Sequence, residues 1–117
     1  MGENMCSQSV LSQVSNRVVK AAMKSLGNKL DKVILYGSYA RSDHNEESDI
    51  DIMILANIPL EDRGREREKI RKLLDYIDLE FDIVLSLNVT DCNTFNKFLH
   101  VEPFYQNIIK DGVILSA

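Results

Sequence analysis

Apolar residues recur first at helical spacing, at Val10, Val14, Val18, Ala21, Ala22 and Leu26. Positions three and four apart lie on one helix face, so Val10 to Leu26 is expected to form an amphipathic helix, with Ser9 as N-cap and Gly27-Asn28 as its stop. The period then changes. KVILY, from Lys32 to Tyr36, is almost wholly apolar and ends at Gly37, the pattern of a strand buried on both faces. SDHNEES, from Ser42 to Ser48, is polar and expected as a loop whose acids face solvent. DIDIMILA, from Asp49 to Ala56, is a second strand, stopped by Asn57 and Pro59. Leu60 to Asp78 is expected as a helix with Ile70, Leu73, Leu74 and Ile77 as its stripe and a start delayed by Gly64. EFDIVLSL, from Glu80 to Leu87, reads as a third strand. Beyond it come a short helix within Asp91 to Val101, a helix from Pro103 to Asp111 stopped by Gly112, and a last strand from Val113 to Leu115. Phe95, Phe98, Leu99, Phe104, Ile108 and Ile109 are expected in the core.

Strand, helix, strand in that order predicts that the second and third strands are parallel, while the first two are near enough in sequence to pair antiparallel. The expected class is α/β (α+β): a small mixed sheet flanked by helices, in one domain spanning residues 1–117. In that topology Gly37, Ser38, Asp49, Asp51 and Asp82 all come to one edge of the sheet.

The charge balance narrows the partners. A formal net charge of −4 argues against a broad nonspecific nucleic-acid footprint, which draws on a basic surface. The basic-looking RGREREKIRK is interleaved with Glu66 and Glu68 and reads as a solvated helix face. No apolar run approaches the roughly 20 residues of a bilayer span, and the N-terminus lacks the apolar segment of a leader, so a cytoplasmic protein is expected. Cys6 and Cys92 lack metal-ligand spacing and are expected as free thiols. His44 and His100 each stand alone and are expected at the surface or in loops.

Residues Tyr36 to Leu55, YGSYARSDHNEESDIDIMIL, carry the chemistry. On an extended strand Asp49 and Asp51 share one face, about 6.5 Å apart by strand rise, and Ile50, Ile52 and Ile54 share the other. Asp82, between Phe81 and Ile83, needs water or a partner for its carboxylate. Three carboxylates at one edge repel by on the order of 4 kcal/mol per pair at 4 Å and an effective dielectric of 20, a repulsion that a divalent cation relieves. Oxygen ligands without His or Cys favour Mg2+, with Mn2+ as the alternative. The Gly37-Ser38 turn offers backbone N–H groups and a hydroxyl to phosphates, and Arg41 a cation for a phosphate or a leaving pyrophosphate. Together these are the parts for attack of a hydroxyl on the α-phosphorus of a nucleoside triphosphate: a phosphate clamp, two metal-holding acids, and a third acid beside the nucleophile. A P-loop is excluded, because no Gly-Lys-Ser/Thr is present.

GSYARSDHNEESDIDIMI resembles the GSxARG…SDxDL signature of the DNA polymerase beta-type nucleotidyltransferase superfamily, and the length resembles its minimal nucleotidyltransferase (MNT) members. The likeness extends through EFDIVLSL to IIKDGVIL and departs at Ser42, where the family usually has Gly. The resemblance implies that Gly37 and Ser38 bind the triphosphate, that Asp49 and Asp51 bind metal, with two ions expected, and that Asp82 is the third carboxylate, assisting the attacking hydroxyl and completing the metal site. It further implies an antitoxin that transfers AMP from ATP to a tyrosine of a HEPN-type toxin and binds it. Two alternatives stand beside this: a non-catalytic module that masks a toxin, and nucleotidyl transfer to a small molecule such as an aminoglycoside, with a second copy in a homodimer completing the site.

Overall fold

The computed structural model describes residues 7–45 and 48–116. Helix α1 spans Gln8–Leu26. It begins earlier than the apolar period suggests because Ser7, rather than Ser9, is the cap, its hydroxyl accepting the Val10 N–H at 3.1 Å. Gly27 ends it with φ +56°. Strand β1, Leu30–Tyr36, pairs antiparallel with β2, Ile50–Ala56, from Leu30 opposite Ala56 to Tyr36 opposite Asp51. A single turn of helix, α2 at Ser38–Arg41, lies between them in sequence. Helix α3, Arg63–Leu73, crosses over to β3, Leu85–Asp91, which runs parallel to β2 with Asp51 beside Ser86. Helices α5, Cys92–Phe98, and α6, Pro103–Asp111, lead to β4, Val113–Ser116, antiparallel to β1. The strand order is β3-β2-β1-β4, a mixed sheet flanked by helices, and its register sets the end of β1 beside the starts of β2 and β3.

Two expected elements are corrected. The helix from Leu60 to Asp78 is broken into a 3-10 turn at Leu60–Asp62, α3, and a separate α4 at Ile77–Phe81, preceded by Tyr76 at φ +67°. The third strand does not start at Glu80: Asp82 caps α4 at φ +53°, and the strand begins at Leu85. The cause is Asp78, whose carboxylate accepts from Arg71 at 2.7 Å and from the Leu85 N–H at 2.9 Å. That clamp keeps the chain turned back on α4, so pairing starts where the Val84 carbonyl accepts the Ile50 N–H at 2.9 Å. Asp82 lies ahead of the ladder.

The alternation along β2 sorts its side chains between two packed layers. Ile50, Ile52 and Ile54, with Val33 and Leu35, pack under α1 and α3 against Val14, Val18 and Ile70. Met53 and Leu55, with Ile34, pack on the other face under Phe95 of α5 and Ile108 of α6. Each fully buried isoleucine contributes roughly 2 kcal/mol of apolar transfer free energy, which makes β2 the most anchored strand. Leu73, Phe98, Phe104 and Ile109, expected in the core, are exposed. Short α5 and α6 bring only Phe95 and Ile108 fully onto the sheet, with Cys92 and Tyr105 partly buried beside them, while Phe98, Phe104 and Ile109 overhang it.

The outer edge of β3 is covered rather than bare. Arg67 donates through Nε to the Leu87 carbonyl at 2.9 Å, while Asp78 takes the Leu85 N–H. Cys92 is a free, half-buried thiol, and Cys6 lies outside the described residues. Asp43 faces solvent as expected, whereas Glu46 and Glu47 lie outside the described residues. His44 is half-buried and stacks on Tyr39 at 3.9 Å between ring centroids, and His100 is exposed. Among the described residues no helix is long and apolar enough to cross a membrane.

Candidate active site

Asp51 is the second residue of the central strand, placed by the register between Tyr36 of β1 and Ser86 of β3. Its side chain is half-buried on the face shared with Met53, and Asp49, just ahead of the strand, is exposed. Burial pushes the Asp51 carboxyl above the ordinary carboxylate range, the charge of Asp49 pushes it further, and Arg41 pulls it back. Asp51 therefore lies within electrostatic reach of both Asp49 and Arg41.

The Gly37-Ser38 turn closes over the same carboxylate. Gly37 has φ +75°, and a Cβ built there would run into the Asp51 Oδ2. Glycine is thus required twice, by backbone conformation and by contact. Ser38 is the first residue of α2, where leading N–H groups find no carbonyl within the helix and are available to an anion. Arg41, at the end of α2, is exposed and bonded through Nε to Asp43 at 3.1 Å. Ser42 follows at φ +61°, the left-handed conformation that the usual glycine would take without strain.

The described residues contain no group of three His, Cys, Asp or Glu close enough to hold a metal ion. Asp82, exposed at the end of α4, is at the same end of the sheet yet is not gathered with Asp49 and Asp51 into one ligand set. The clamp at Asp78 that delays β3 holds Asp82 ahead of the ladder, as the C-cap of α4. The donor set that does form is a pair of carboxylates, one of them desolvated and charge-stressed. A pair of hard oxygen donors fits a divalent cation that completes its shell with phosphate and water oxygens.

Three further residues belong to the site. Tyr36, on β1, is coupled across the central strand to the Asn88 side chain of β3. Thr90 in turn donates to Asn88 Oδ1 at 2.7 Å, which leaves the Asn88 amide hydrogens for Tyr36. Burial first and Asp51 second push the Tyr36 phenol up, so it keeps its proton. Ser86 and Asn88 alternate with Leu85, Leu87 and Val89, and that period of two in LSLNV is the signal that marks them from sequence. Tyr36 is signalled by its place directly ahead of Gly37.

A cleft of about 420 Å3 opens beside these residues, between Ser86 and Asn88 of β3 and Arg63 and Arg67 of α3. The basic segment of α3 is accordingly divided. Arg65 pairs with Asp62 as on a solvated face, Glu66 is buried, accepting from the Ser25 hydroxyl at 3.4 Å and pairing with Lys69, and Arg63 and Arg67 line the cleft.

Comparison with known proteins agrees with this geometry. A relative from Methanocaldococcus jannaschii named "Putative protein adenylyltransferase" is 47% identical over 62 residues, which are 52% of this chain and 60% of that protein, so the match takes in less than two thirds of its length. A second from the same organism and with the same name is 31% identical over 97 residues, 83% of this chain and 89% of that protein. Among solved structures, one described as a toxin-antitoxin with AMP-PNP aligns over 88% of this chain and 73% of its own, with TM-score 0.55 and 21% identity. A nucleotidyltransferase structure from Sulfolobus solfataricus aligns over 91% and 78%, with TM-score 0.56 and 20% identity, and these two establish a shared fold. The family described as "Nucleotidyltransferase domain" matches residues 17–115, nearly the whole sheet and its helices together with the Gly37-Asp51 contact, and the chain belongs to that family.

Proposed function

We propose that this nucleotidyltransferase transfers AMP from ATP to a hydroxyl of a partner protein, a tyrosine of a HEPN-type toxin, and thereby acts as its antitoxin. The observation that carries the reading is the closure of the Gly37-Ser38 turn onto Asp51, which puts a phosphate-binding backbone against a stressed pair of acids. The names of the relatives support adenylyl transfer to protein, and the toxin-antitoxin neighbour, described with AMP-PNP, supports both the nucleotide and the kind of partner. The exposed apolar residues Phe104, Ile109 and Ile114 on α6 and β4 give such a partner something to bury.

In this reading Gly37 and Ser38 hold the β- and γ-phosphates and Arg41 balances the charge of the leaving pyrophosphate. Asp49 and Asp51 would hold Mg2+, which supplies charge neutralisation at the phosphates. The acceptor hydroxyl oxygen bonds to the α-phosphorus while the bond to the bridging oxygen of the β-phosphate breaks, and pyrophosphate departs. The hydroxyl proton passes to Asp82. Asp82, ahead of the ladder at the end of α4, is assigned to the nucleophile in this reading. Tyr36, kept protonated, fixes the floor beneath Asp51 through Asn88.

The test is transfer of label from ATP carrying radioactive phosphorus at the α position, with Mg2+, to the HEPN-type protein purified with this chain, beside an Asp49→Ala/Asp51→Ala control. Label on the partner with the intact protein alone is expected. Equal protection from toxicity by both proteins without any label would replace the reading with a masking module.

A further inference from the structure

We propose that the cleft between α3 and β3 seats an acidic segment of the protein acceptor and brings its hydroxyl to the reacting centre. The inference rests on the protein-transfer reading above and adds the chemistry by which the acceptor is chosen.

Position is the first argument. Tyr36 and Ser86, the two residues flanking Asp51 across the sheet, both line this cleft, so whatever occupies it borders the reacting centre. The cleft runs from Tyr36, the residue before the Gly37-Ser38 turn, across to β3 and α3, so an occupant held by α3 reaches the edge of that turn.

Charge is the second. The chain is acidic overall, yet the residues lining the cleft include Arg63 and Arg67 and no carboxylate. Both arginines are tethered at Nε, Arg67 to the Leu87 carbonyl at 2.9 Å and Arg63 to the Leu60 carbonyl at 3.2 Å. Tethering at Nε leaves the Nη pair of a guanidinium as the edge that a carboxylate engages in bidentate fashion. Asp91 lies 3.7 Å from Arg63 Nε but is buried and serves as the N-cap of α5, accepting from the Thr94 N–H at 2.9 Å.

Dimensions are the third. From Ser86 to Val89 the strand runs about 10 Å at 3.3 Å per residue. Arg67 meets the strand at Leu87 and Arg63 at its far end, near Asp91, so an extended peptide lying along it with its hydroxyl at the reacting centre brings a carboxylate about three residues away to Arg63. The Ser86 hydroxyl supplies a hydrogen bond to its backbone.

The experiment uses two fluorescein-labelled tyrosine peptides of equal length, one with Glu three residues from the tyrosine and one with Gln there, titrated against the full chain by anisotropy at low salt. The Glu peptide is expected to bind at least tenfold tighter, and Arg63→Gln is expected to reduce that ratio below about twofold without changing MgATP affinity. Since Arg67 also braces β3, its charge is tested by Arg67→Lys, which keeps part of the preference, and the pair is checked by Arg63→Glu with an Arg-bearing peptide, which restores binding. No preference between the peptides, from equal binding or from none, overturns the inference, as does a preference that survives Arg63→Gln. Transfer from α-labelled ATP is scored separately. Transfer without peptide preference removes the cleft's role and keeps adenylyl transfer, while preference without transfer to any tyrosine removes the function reading itself.

Discussion

Gly37 and Asp51 are in contact so close that no side chain fits between them. The contact joins the Gly37-Ser38 turn to the acid-bearing strand, and it makes the smallest residue of the motif as demanding as its charges. Gly37→Ala is expected to displace the carboxylate or the turn, lowering transfer about a hundredfold. It should also cost about 1–2 kcal/mol of stability through the positive φ. Steady-state transfer and a denaturant melt on the same preparation check both.

Asp51 makes stability depend on pH in a defined direction. Its carboxyl is raised above its ordinary value of 3.8 by burial and by Asp49. The folded state thus favours the protonated form, a stabilisation fully present below the ordinary value and lost as pH rises through the raised one. Asp51→Asn is expected to be equal to or more stable than the parent at neutral pH in metal-free buffer, with the advantage shrinking as pH falls through that window. Thermal melts from acid to neutral pH test this, and a variant markedly less stable at neutral pH would make the aspartate structural. Transfer by the same variant should fall on the order of a thousandfold.

Asp82→Asn separates the two roles offered for the third acid. Asparagine tolerates the left-handed backbone at this position, so the fold should persist. Transfer is expected to fall by about a hundredfold, as on loss of a general base, while MgATP affinity stays within twofold. A large loss of metal-dependent nucleotide binding instead would assign Asp82 to the metal.

Ser42 holds the conformation for which relatives of the motif use glycine. Ser42→Gly relieves a left-handed L-residue at some cost in unfolded-chain entropy, so a gain of about 0.5–1 kcal/mol is expected, with transfer unchanged. The denaturant midpoint should rise at constant slope.

Periodicity is enough to find α1, β1, β2 and α6, because each is a run whose burial follows one repeat. It also finds the shared edge, since parallel and antiparallel pairing follow from connection length. It does not find the break between α3 and β3. That break depends on Tyr76 and Asp82 adopting positive φ and on one carboxylate, Asp78, bonding a side chain and a strand amide together. In EFDIVLSL the alternation is equally good two residues earlier, and only the tertiary bond chooses. Similarly, Asp49 and Asp51 are legible from spacing, whereas Tyr36 joins the site through an Asn88 contact that spans three strands. The arginines of α3 read as one basic face until the helix is docked and only Arg63 and Arg67 meet the cleft.

The burial of β2 has a consequence for how the reacting centre moves. Ile52, Met53 and Ile54 are fully buried between two helical layers, so their amides can exchange with solvent only when the sheet itself opens. Asp51, one residue before them, is therefore tied to the slowest-opening part of the chain. The backbone of Asp51 is held by that strand, so its half-buried carboxylate adjusts by rotation of its own side chain rather than by shifts of the sheet. Hydrogen exchange at Ile52 to Ile54 should accordingly report the stability of the whole fold and the readiness of the site as one number.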